Sequence, residues 1–223
     1  MQLDCECKSS RPAIHSPLTD DMGRGILGYG AIGRQCARVV KAFGMDVLAY
    51  TMRERSTPEA RFDDSYVVLG TGDPEGFLPS KWFHGTTKES LNEFLGQDLD
   101  LLVVSLPLTS LTKNMIAKEQ FDILAKRKAF VSNIGRGPIV NTADMIEALE
   151  KGTIRGAALD VTDPEPLPKD HPLWLAPNVF ITPHVSFQSR SRGRRVLEIL
   201  ECNLERLAEG KSLVNCVDKD LGF

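Results

Sequence analysis

The sequence has no long apolar run, and none of its hydrophobic stretches approaches the roughly 20 residues that a membrane-spanning helix needs. Residues 1–17 also lack the apolar core of a secretory signal and the Arg-rich amphipathic pattern of a transit peptide. These absences argue against a membrane helix and a targeting segment, so we expect a cytoplasmic protein with no membrane partner.

An excess of charge of one sign is lacking as well. The formal net charge is −3, and the Lys and Arg residues are scattered instead of forming a basic patch. This distribution excludes the electrostatic footprint of a nucleic-acid-binding surface. The five cysteines show neither metal-ligand nor redox-motif spacing, so we expect reduced thiols and no metal site.

Short apolar runs alternate with stretches of helical periodicity along most of the chain. The predicted strands are GILGY, DVLAY, DLLVVSL, AFVSNI, GAALDV and NVFIT. Helices are predicted over residues 88–95, 118–125, 142–151 and 189–209, and after the first strand from the spacing of Ile32, Cys36, Val39, Val40 and Phe43. The alternation predicts an α/β fold, a doubly wound parallel sheet of the Rossmann type with helices on both faces.

A glycine triplet, G-x-G-x-x-G, lies between the first predicted strand and the first helix. A Cβ atom at Gly30 would hold the backbone away from a pyrophosphate, Gly33 permits close helix-to-strand packing, and the helix amino end supplies free N–H groups. A tight turn alone is the simpler explanation, but the further strands downstream favour a dinucleotide cradle. The predicted cofactor-binding residues here are Gly28, Tyr29, Gly30, Ala31, Ile32 and Gly33.

The stretch after the second predicted strand, AYTMRER, bears on the choice of cofactor. Thr51 stands where an NAD site usually has an acidic residue for the ribose hydroxyl, and Arg53 and Arg55 follow. Arginines suit the 2′-phosphate of NADP because they form charge-assisted hydrogen bonds with it. We therefore predict NADP, with Thr51 and Arg53 in contact with it. NAD is the alternative cofactor because Glu54 can reach a ribose. A further alternative is that this stretch is only a solvated charged turn with no cofactor contact.

These signals suggest a division of the chain. We expect a dinucleotide-binding domain at residues 23–200, an unassigned segment at 1–22 and a C-terminal segment at 201–223. Residues 51–87 are rich in Pro, Gly and charge and are long for a connection inside a domain, so we expect a surface excursion anchored by Trp82 and Phe83.

Polar residues follow the remaining predicted strands, at the sheet edge where ligands bind in open α/β folds. They are Ser105 and Pro107 in VVSLPLT, Asn133, Ile134 and Arg136 in VSNIGRG, Asp160 and Glu165 in ALDVTDPEP, and His184 in ITPH. In this order and at these separations, GYGAIG, NIGRGPIV, ALDVTDPEP and TPH resemble the D-isomer-specific 2-hydroxyacid dehydrogenases, over about Gly23 to Phe223.

The resemblance implies hydride transfer between NAD(P)H and a small 2-oxo acid such as glyoxylate or hydroxypyruvate. His184 would donate the proton that the forming alkoxide needs, and Glu165 would hydrogen-bond the charged imidazole. Arg136 would bind the substrate carboxylate, for which a planar cation with several donors is suited. Ser105, Pro107, Asn133, Ile134 and Asp160 would contact the cofactor, Asp160 at the nicotinamide carboxamide.

Each of these residues also has a purely structural interpretation: His184 as a loop histidine, Glu165 as an exposed turn residue and Arg136 as a helix-capping cation. For the whole chain, the alternative is a nucleotide-binding interaction module of the carboxy-terminal-binding co-repressor type, which shares the fold. A methyltransferase with a related glycine loop is a more distant alternative, since it would not need the downstream residues.

The sequence departs from the family in two respects. Only 22 residues precede Gly23, where relatives have a substrate domain, so we expect this chain alone not to form a complete active site. The stretch MGRGILGYG is shorter than in relatives between the basic residue and the glycine, and we expect poorly formed edges in this central strand. The tail LVNCVDKDLGF resembles the segment that returns to the substrate domain. We expect a homodimer.

Overall fold

A seven-stranded, entirely parallel sheet organises residues 23–217, the part of the chain that the computed structural model describes. The strands are β1 Gly23–Leu27, β2 Asp46–Thr51, β3 Lys81–His84, β4 Leu99–Val104, β5 Phe130–Asn133, β6 Gly156–Leu159 and β7 Val179–Ile181. Their order is β3-β2-β1-β4-β5-β6-β7. The predicted doubly wound α/β fold is therefore confirmed, whereas residues 1–22 and 218–223 lie outside the described part.

Helices connect most of these strands. They are α1 Ala31–Ala42, α2 Pro58–Arg61, α3 Lys88–Leu95, α4 Lys118–Leu124, α5 Thr142–Glu150 and α6 Arg192–Ala208, with 3₁₀ turns at Gly137–Ile139 and Pro172–Leu175. Side-chain caps fix several starts: Thr87 Oγ1 accepts from Ser90 N–H at the start of α3, and Asn141 Oδ1 accepts from Asp144 N–H at the start of α5. The expected domain boundary at residue 200 falls inside α6. None of the helices within residues 23–217 is long and apolar enough to cross a membrane.

The core lies on both faces of the sheet, because successive strand residues point to opposite sides. Leu27, Leu102 and Val104 belong to the larger cluster of buried side chains, which includes residues of α3, α4 and α5. Ile26 and Val103 belong to the smaller cluster, which includes residues of α1. The strand order reverses between β1 and β4, which is where open α/β sheets bind ligands, beyond the carboxyl ends of the strands.

The expected surface excursion at residues 51–87 is corrected in part by the structure. It contains β3, which pairs in parallel with β2 and forms one edge of the sheet. Phe83 is buried in the larger core cluster, and Trp82 packs against the smaller one. The two aromatic residues thus anchor the segment as expected, but they do so as members of a strand that the sequence analysis missed.

The apolar face of α1 is only in part the one that its sequence spacing predicts. Val40 is buried and Cys36 packs against the smaller core cluster, as predicted. Ile32, Val39 and Phe43 are instead exposed to 59%, 48% and 64%, because the helix packs closely on the sheet at Gly33 and turns Gly33 and Ala37 inward.

The expectation of poorly formed edges in β1 is wrong. The strand pairs over all five residues with β2, and it pairs with β4 on its other side, with one irregularity in register between Gly23 and Arg24. Hydrogen bonding on both sides explains why a short strand stays intact at the centre of the sheet.

The strand β1 carries one charged side chain, Arg24, into the protein interior. This side chain is 1% exposed, and within residues 23–217 neither Nη1 nor Nη2 has a hydrogen-bond partner. Burial lowers the pKa of Arg24 below its ordinary value, which the charge of Asp100 opposes and the charges of Arg155 and Arg127 reinforce. The Arg24 guanidinium is therefore buried with only partial compensation of its charge.

Replacement of Arg24 by leucine should raise the free energy of unfolding by about 1–3 kcal/mol, because an apolar side chain removes a buried, poorly compensated charge. Urea unfolding of the purified chain measures this change. Arg190→Leu, at an exposed arginine, is the control and should change stability by about 0.5 kcal/mol or less. A destabilised Arg24→Leu variant would show that the guanidinium contributes favourable contacts.

Candidate active site

The candidate site follows the carboxyl edge of the sheet. Because all seven strands are parallel, their carboxyl ends meet at this edge. Along the sheet it carries Thr51 at the end of β2, Gly28 after β1, Ser105 after β4, Asn133 at the end of β5, Asp160 after β6 and His184 after β7. The structure therefore places residues from every sequence motif on one side of the molecule.

The glycine turn has the geometry of a phosphate cradle. Gly28 has φ +99°, and a Cβ atom at Gly33 would lie 2.1 Å from the Gly28 carbonyl oxygen, so both positions require glycine. A Cβ atom at Gly30 would meet nothing within 4 Å, and this residue is the exposed N-cap of α1. The space beside Gly30 and the free N–H groups of Ala31 and Ile32 suit an anionic group.

Ser105 links the loop after β4 to this turn. Its Oγ donates to the Gly28 carbonyl oxygen at 2.7 Å, and its N–H donates to Leu27 O at 2.9 Å. The following loop is itself closed, since the Thr112 hydroxyl donates to Pro107 O at 2.7 Å. Ser105 therefore holds the glycine turn from the side of β4, in addition to its predicted place in a cofactor-lining loop.

The Tyr29 side chain points into the protein instead of toward the open side of the turn. It is 4% exposed, and its hydroxyl donates to Asp73 Oδ2 at 2.8 Å. Only the backbone of Tyr29 is thus available for the predicted cofactor contact. Asp73 belongs to no sequence motif, and 44 residues separate it from Tyr29, so this partner becomes visible only in the fold.

The arginines after β2 differ in their contacts. Thr51 Oγ1 donates to Arg53 O at 2.7 Å, which closes the turn. Arg55 is held inside the loop, because its guanidinium donates to Ala60 O and its carbonyl accepts from Arg61 Nε at 2.8 Å. Arg53 is exposed, and its guanidinium has no hydrogen-bond partner within residues 23–217. Arg53 is therefore the better placed cation for an incoming phosphate.

The loop after β5 presents Arg136. Asn133 is buried, accepts from Gly135 N–H at 3.1 Å and donates to Arg136 O at 3.0 Å, so its amide shapes the turn. Ile134 packs against the smaller core cluster. Arg136 is exposed, and its Nη1 donates to Gly135 O at 2.7 Å, which leaves most of its N–H donors unused.

His184 and Glu165, which the sequence analysis pairs, lie in contact. His184 Nδ1 is 2.6 Å from Glu165 Oε1, and the side chains are 37% and 39% exposed. This contact orients the imidazole and leaves Nε2 as the nitrogen that a substrate can reach. His184 has φ +51°, and its N–H donates to Asp160 O at 2.8 Å, so the backbone is also fixed.

Asp160 holds the histidine loop. Its Oδ1 accepts from the Thr182 hydroxyl at 2.6 Å and from Val185 N–H at 2.9 Å, and its Oδ2 accepts from Ser186 N–H at 3.0 Å. Burial alone would raise the pKa of Asp160, but donors from Ser186, Thr182 and Val185 outweigh it and lower the pKa to about 2. The structure thus gives Asp160 a positioning contact that sequence reasoning missed, while the predicted nicotinamide contact stays a prediction.

The Arg136 loop and the Glu165 loop are neighbours. A Cβ atom at Gly137 would lie 1.9 Å from Thr162 O, and the Thr142 hydroxyl donates to Asp163 O at 3.0 Å. One edge of the sheet therefore carries an anion cradle, an exposed guanidinium and an imidazole hydrogen-bonded to a carboxylate. This combination can bind a carboxylate, transfer a proton and hold a phosphorylated cofactor.

Comparison with known proteins identifies the family. Residues 6–71 and 77–186 match the family described as D-isomer specific 2-hydroxyacid dehydrogenase, NAD binding domain. The chain belongs to the D-isomer-specific 2-hydroxyacid dehydrogenases. Its NAD-binding-domain match begins before the described residues and ends two residues beyond His184, so it includes the whole candidate site.

Relatives in this dehydrogenase family have substantially longer chains. A glyoxylate reductase from Aeropyrum pernix is 32% identical over 197 residues, which are 88% of this chain and 52% of the relative. A probable 2-hydroxyacid dehydrogenase from Rhizobium etli, solved with NADP, HEPES and L(+)-tartaric acid, has a TM-score of 0.71 and 28% identity over 93% of this chain and 58% of that one. An NADPH-dependent glyoxylate/hydroxypyruvate reductase from Sinorhizobium meliloti, solved with NADP and sulfate, has a TM-score of 0.69 and 31% identity over 91% and 57%. The chain thus spans little more than half the length of these dehydrogenases.

Proposed function

We propose that this chain is the dinucleotide-binding part of an NADP-dependent reductase of small 2-oxo acids such as glyoxylate or hydroxypyruvate. The observation that carries the proposal is the 2.6 Å contact between His184 and Glu165, at the same sheet edge as the glycine turn. The named reductases among the relatives support the substrate class. The co-repressor alternative gains no support from these comparisons.

The cofactor fits the residues at the glycine turn. The backbone around Gly28, Gly30 and Gly33 would hold the pyrophosphate, and Arg53 would meet a 2′-phosphate. Ser105, Pro107 and Ile134 would line the rest of the cleft, and the buried Asn133 and Asp160 would hold its loops in place. When bound, NADPH supplies the hydride that reduces the carbonyl carbon of the 2-oxo acid.

Two side chains would act on the substrate itself, and Glu165 would act through one of them. Arg136 would bind the carboxylate through its unused N–H donors and polarise the neighbouring carbonyl. His184 in its charged form would deliver the Nε2 proton to the carbonyl oxygen as negative charge develops there. The neutral ring would keep its Nδ1 proton, hydrogen-bonded to Glu165. The proton that leaves Nε2 would neutralise the alkoxide that hydride transfer creates.

A homodimer is part of this proposal. Leu197, Leu200, Leu204 and Leu207 lie along one side of α6 and are 53–64% exposed, an apolar surface that a second copy would cover. Sedimentation of the purified chain distinguishes a dimer, which we expect, from a monomer.

Arg53→Ala should weaken NADPH binding about tenfold or more and leave the Kd for NADH within about twofold, because only NADPH carries the phosphate that this cation would bind. Fluorescence titration with both cofactors measures the two constants. Lys151→Ala, which removes one positive charge before β6, is the control and should change neither. Equal losses for both cofactors would contradict the assignment of Arg53.

A further inference from the structure

Residues 70–78, which we call the brace, fold over the beginning of α1 and the glycine turn. The brace follows α2 and precedes β3. Its contacts with the turn are buried, although the sequence analysis treats the region only as a surface excursion. The brace is therefore a structural neighbour of the cofactor cradle whose role the proposed function does not explain.

The central contact of the brace is Asp73, which is 7% exposed. Its Oδ2 accepts from the Tyr29 hydroxyl at 2.8 Å and from Leu78 N–H at 3.1 Å, and its Oδ1 accepts from Phe77 N–H at 3.1 Å. The two backbone donors fix the carboxylate within the brace. The Tyr29 hydroxyl is the remaining donor, and it connects this fixed carboxylate to the glycine turn.

The brace is also attached to α1 itself. Arg34 is 3% exposed, and its guanidinium donates to Asp73 O. Gln35 Oε1 accepts from Gly72 N–H at 2.6 Å, and Arg38 Nη1 donates to Gly72 O at 3.1 Å. Polar contacts from Arg34, Gln35 and Arg38, in the first turns of α1, hold the brace in one position relative to the helix that begins at the cradle.

The Tyr29 side chain connects the brace to the backbone of Gly28 and Gly30, the two glycines beside it. Its ring lies edge-on to Trp82 at 4.9 Å, and the Arg34 guanidinium carbon is 5.1 Å from the ring centre. The side chain is thus enclosed on several sides and cannot move without moving the backbone of Gly28 and Gly30. That backbone is the part of the chain that must approach a pyrophosphate closely.

We propose that Asp73 is a positioning residue for dinucleotide binding, which holds the Tyr29 hydroxyl and thereby fixes the backbone of Gly28 and Gly30 against the cofactor pyrophosphate. The proposal rests on the proposed function, because it assigns the cradle to a dinucleotide. It adds a residue outside the glycine motif, in a segment 40 residues downstream, to those that determine cofactor affinity.

The first test uses amide hydrogen exchange of the chain without any ligand. In Tyr29→Phe and Asp73→Asn, the N–H groups of Gly28, bonded to Tyr50 O, and of Arg34, bonded to Gly30 O, should exchange about tenfold faster. Glu75→Gln, which removes the same charge at an exposed position of the brace, should leave both rates unchanged. Unchanged exchange in Tyr29→Phe, or an equal increase throughout β5, overturns the proposal.

The second test separates positioning of the cradle from general damage. By calorimetry, Tyr29→Phe should weaken NADPH about tenfold but leave adenosine 2′-phosphate, which has no pyrophosphate, within about twofold. The double variant Tyr29→Phe with Asp73→Asn should bind NADPH no more weakly than the single variant with the lower affinity. The reason is that both substitutions remove the same contact, between the Tyr29 hydroxyl and Asp73. Equal losses for the two ligands overturn the proposal. If the wild-type chain binds no NADPH while the two variants show the expected faster exchange, the proposed function is contradicted and the contact between Tyr29 and Asp73 still positions the turn.

Discussion

Replacing His184 by alanine should lower kcat by about 10²- to 10⁴-fold in a chain completed with the amino-terminal domain of a related reductase, while the Kd for NADPH changes less than about twofold. The effect is large because Nε2 is the proposed source of the proton for the carbonyl oxygen. The contact of Nδ1 with Glu165 orients the ring for that transfer. Steady-state rates with glyoxylate and hydroxypyruvate, and calorimetry with NADPH, measure the two quantities.

Two further variants sharpen this test. Glu165→Gln keeps the shape of the side chain but removes its charge, so kcat should fall by less than in the alanine variant of His184. His84→Ala, at an exposed histidine at the end of β3, should leave kcat unchanged. Near-normal turnover in His184→Ala would mean that another group supplies the proton, and the assignment would be abandoned.

Gly33→Ala should unfold or strongly destabilise the chain and abolish NADPH binding, whereas Gly30→Ala should abolish most binding in a chain of normal stability. At Gly33 the added carbon would lie 2.1 Å from Gly28 O, so the backbone must move, at a cost of about 2 kcal/mol or more. At Gly30 nothing lies within 4 Å, and the added carbon would meet only the bound cofactor.

Urea unfolding and calorimetry with NADPH separate the two glycine variants. Gly30→Ala should change the free energy of unfolding by about 0.5 kcal/mol or less, while NADPH binds at least about tenfold more weakly. Gly193→Ala, at an open position in α6, is the control for the added methyl group and should bind normally. A Gly30→Ala variant with wild-type affinity would refute the cradle.

The sequence predicts six of the seven strands well because buried parallel strands are continuous apolar runs. The predicted parallel sheet also places the site residues at one edge, because every motif that follows a parallel strand lies at the carboxyl edge of the sheet. The strand β3 is not predicted from the sequence because KWFH is only four residues long and lies within a Pro- and Gly-rich segment. Pairing with β2, a long-range interaction, makes it a strand.

Two other features depend on contacts that spacing does not encode. The close approach of α1 to the sheet at Gly33 decides which face of the helix is buried. Val40 lies on that face, whereas Ile32, Val39 and Phe43, which belong to the same predicted apolar pattern, are exposed. The contact between Tyr29 and Asp73 joins a motif to a segment without one. Polar contacts between residues far apart in the sequence can be identified only once the fold is known.

Turnover of 2-oxo acids by this chain alone is expected to be weak. Arg136 is exposed, and Glu165 and His184 are more than a third exposed, so water reaches the described part of the substrate site. Water weakens each electrostatic contact, and loss of a fixed substrate orientation can cost about 7–11 kcal/mol of barrier reduction. Cofactor binding depends on the glycine turn and the loops after β2 and β4, which are formed.

Calorimetric titration of the unaltered chain with NADPH, followed by NADH under the same conditions, decides whether this sheet edge is an NADP site. We expect saturable binding of one NADPH per chain, with a lower Kd than that for NADH. If neither cofactor binds, or if NADH binds with a lower Kd than NADPH, the assignment of this sheet edge as an NADP site is contradicted.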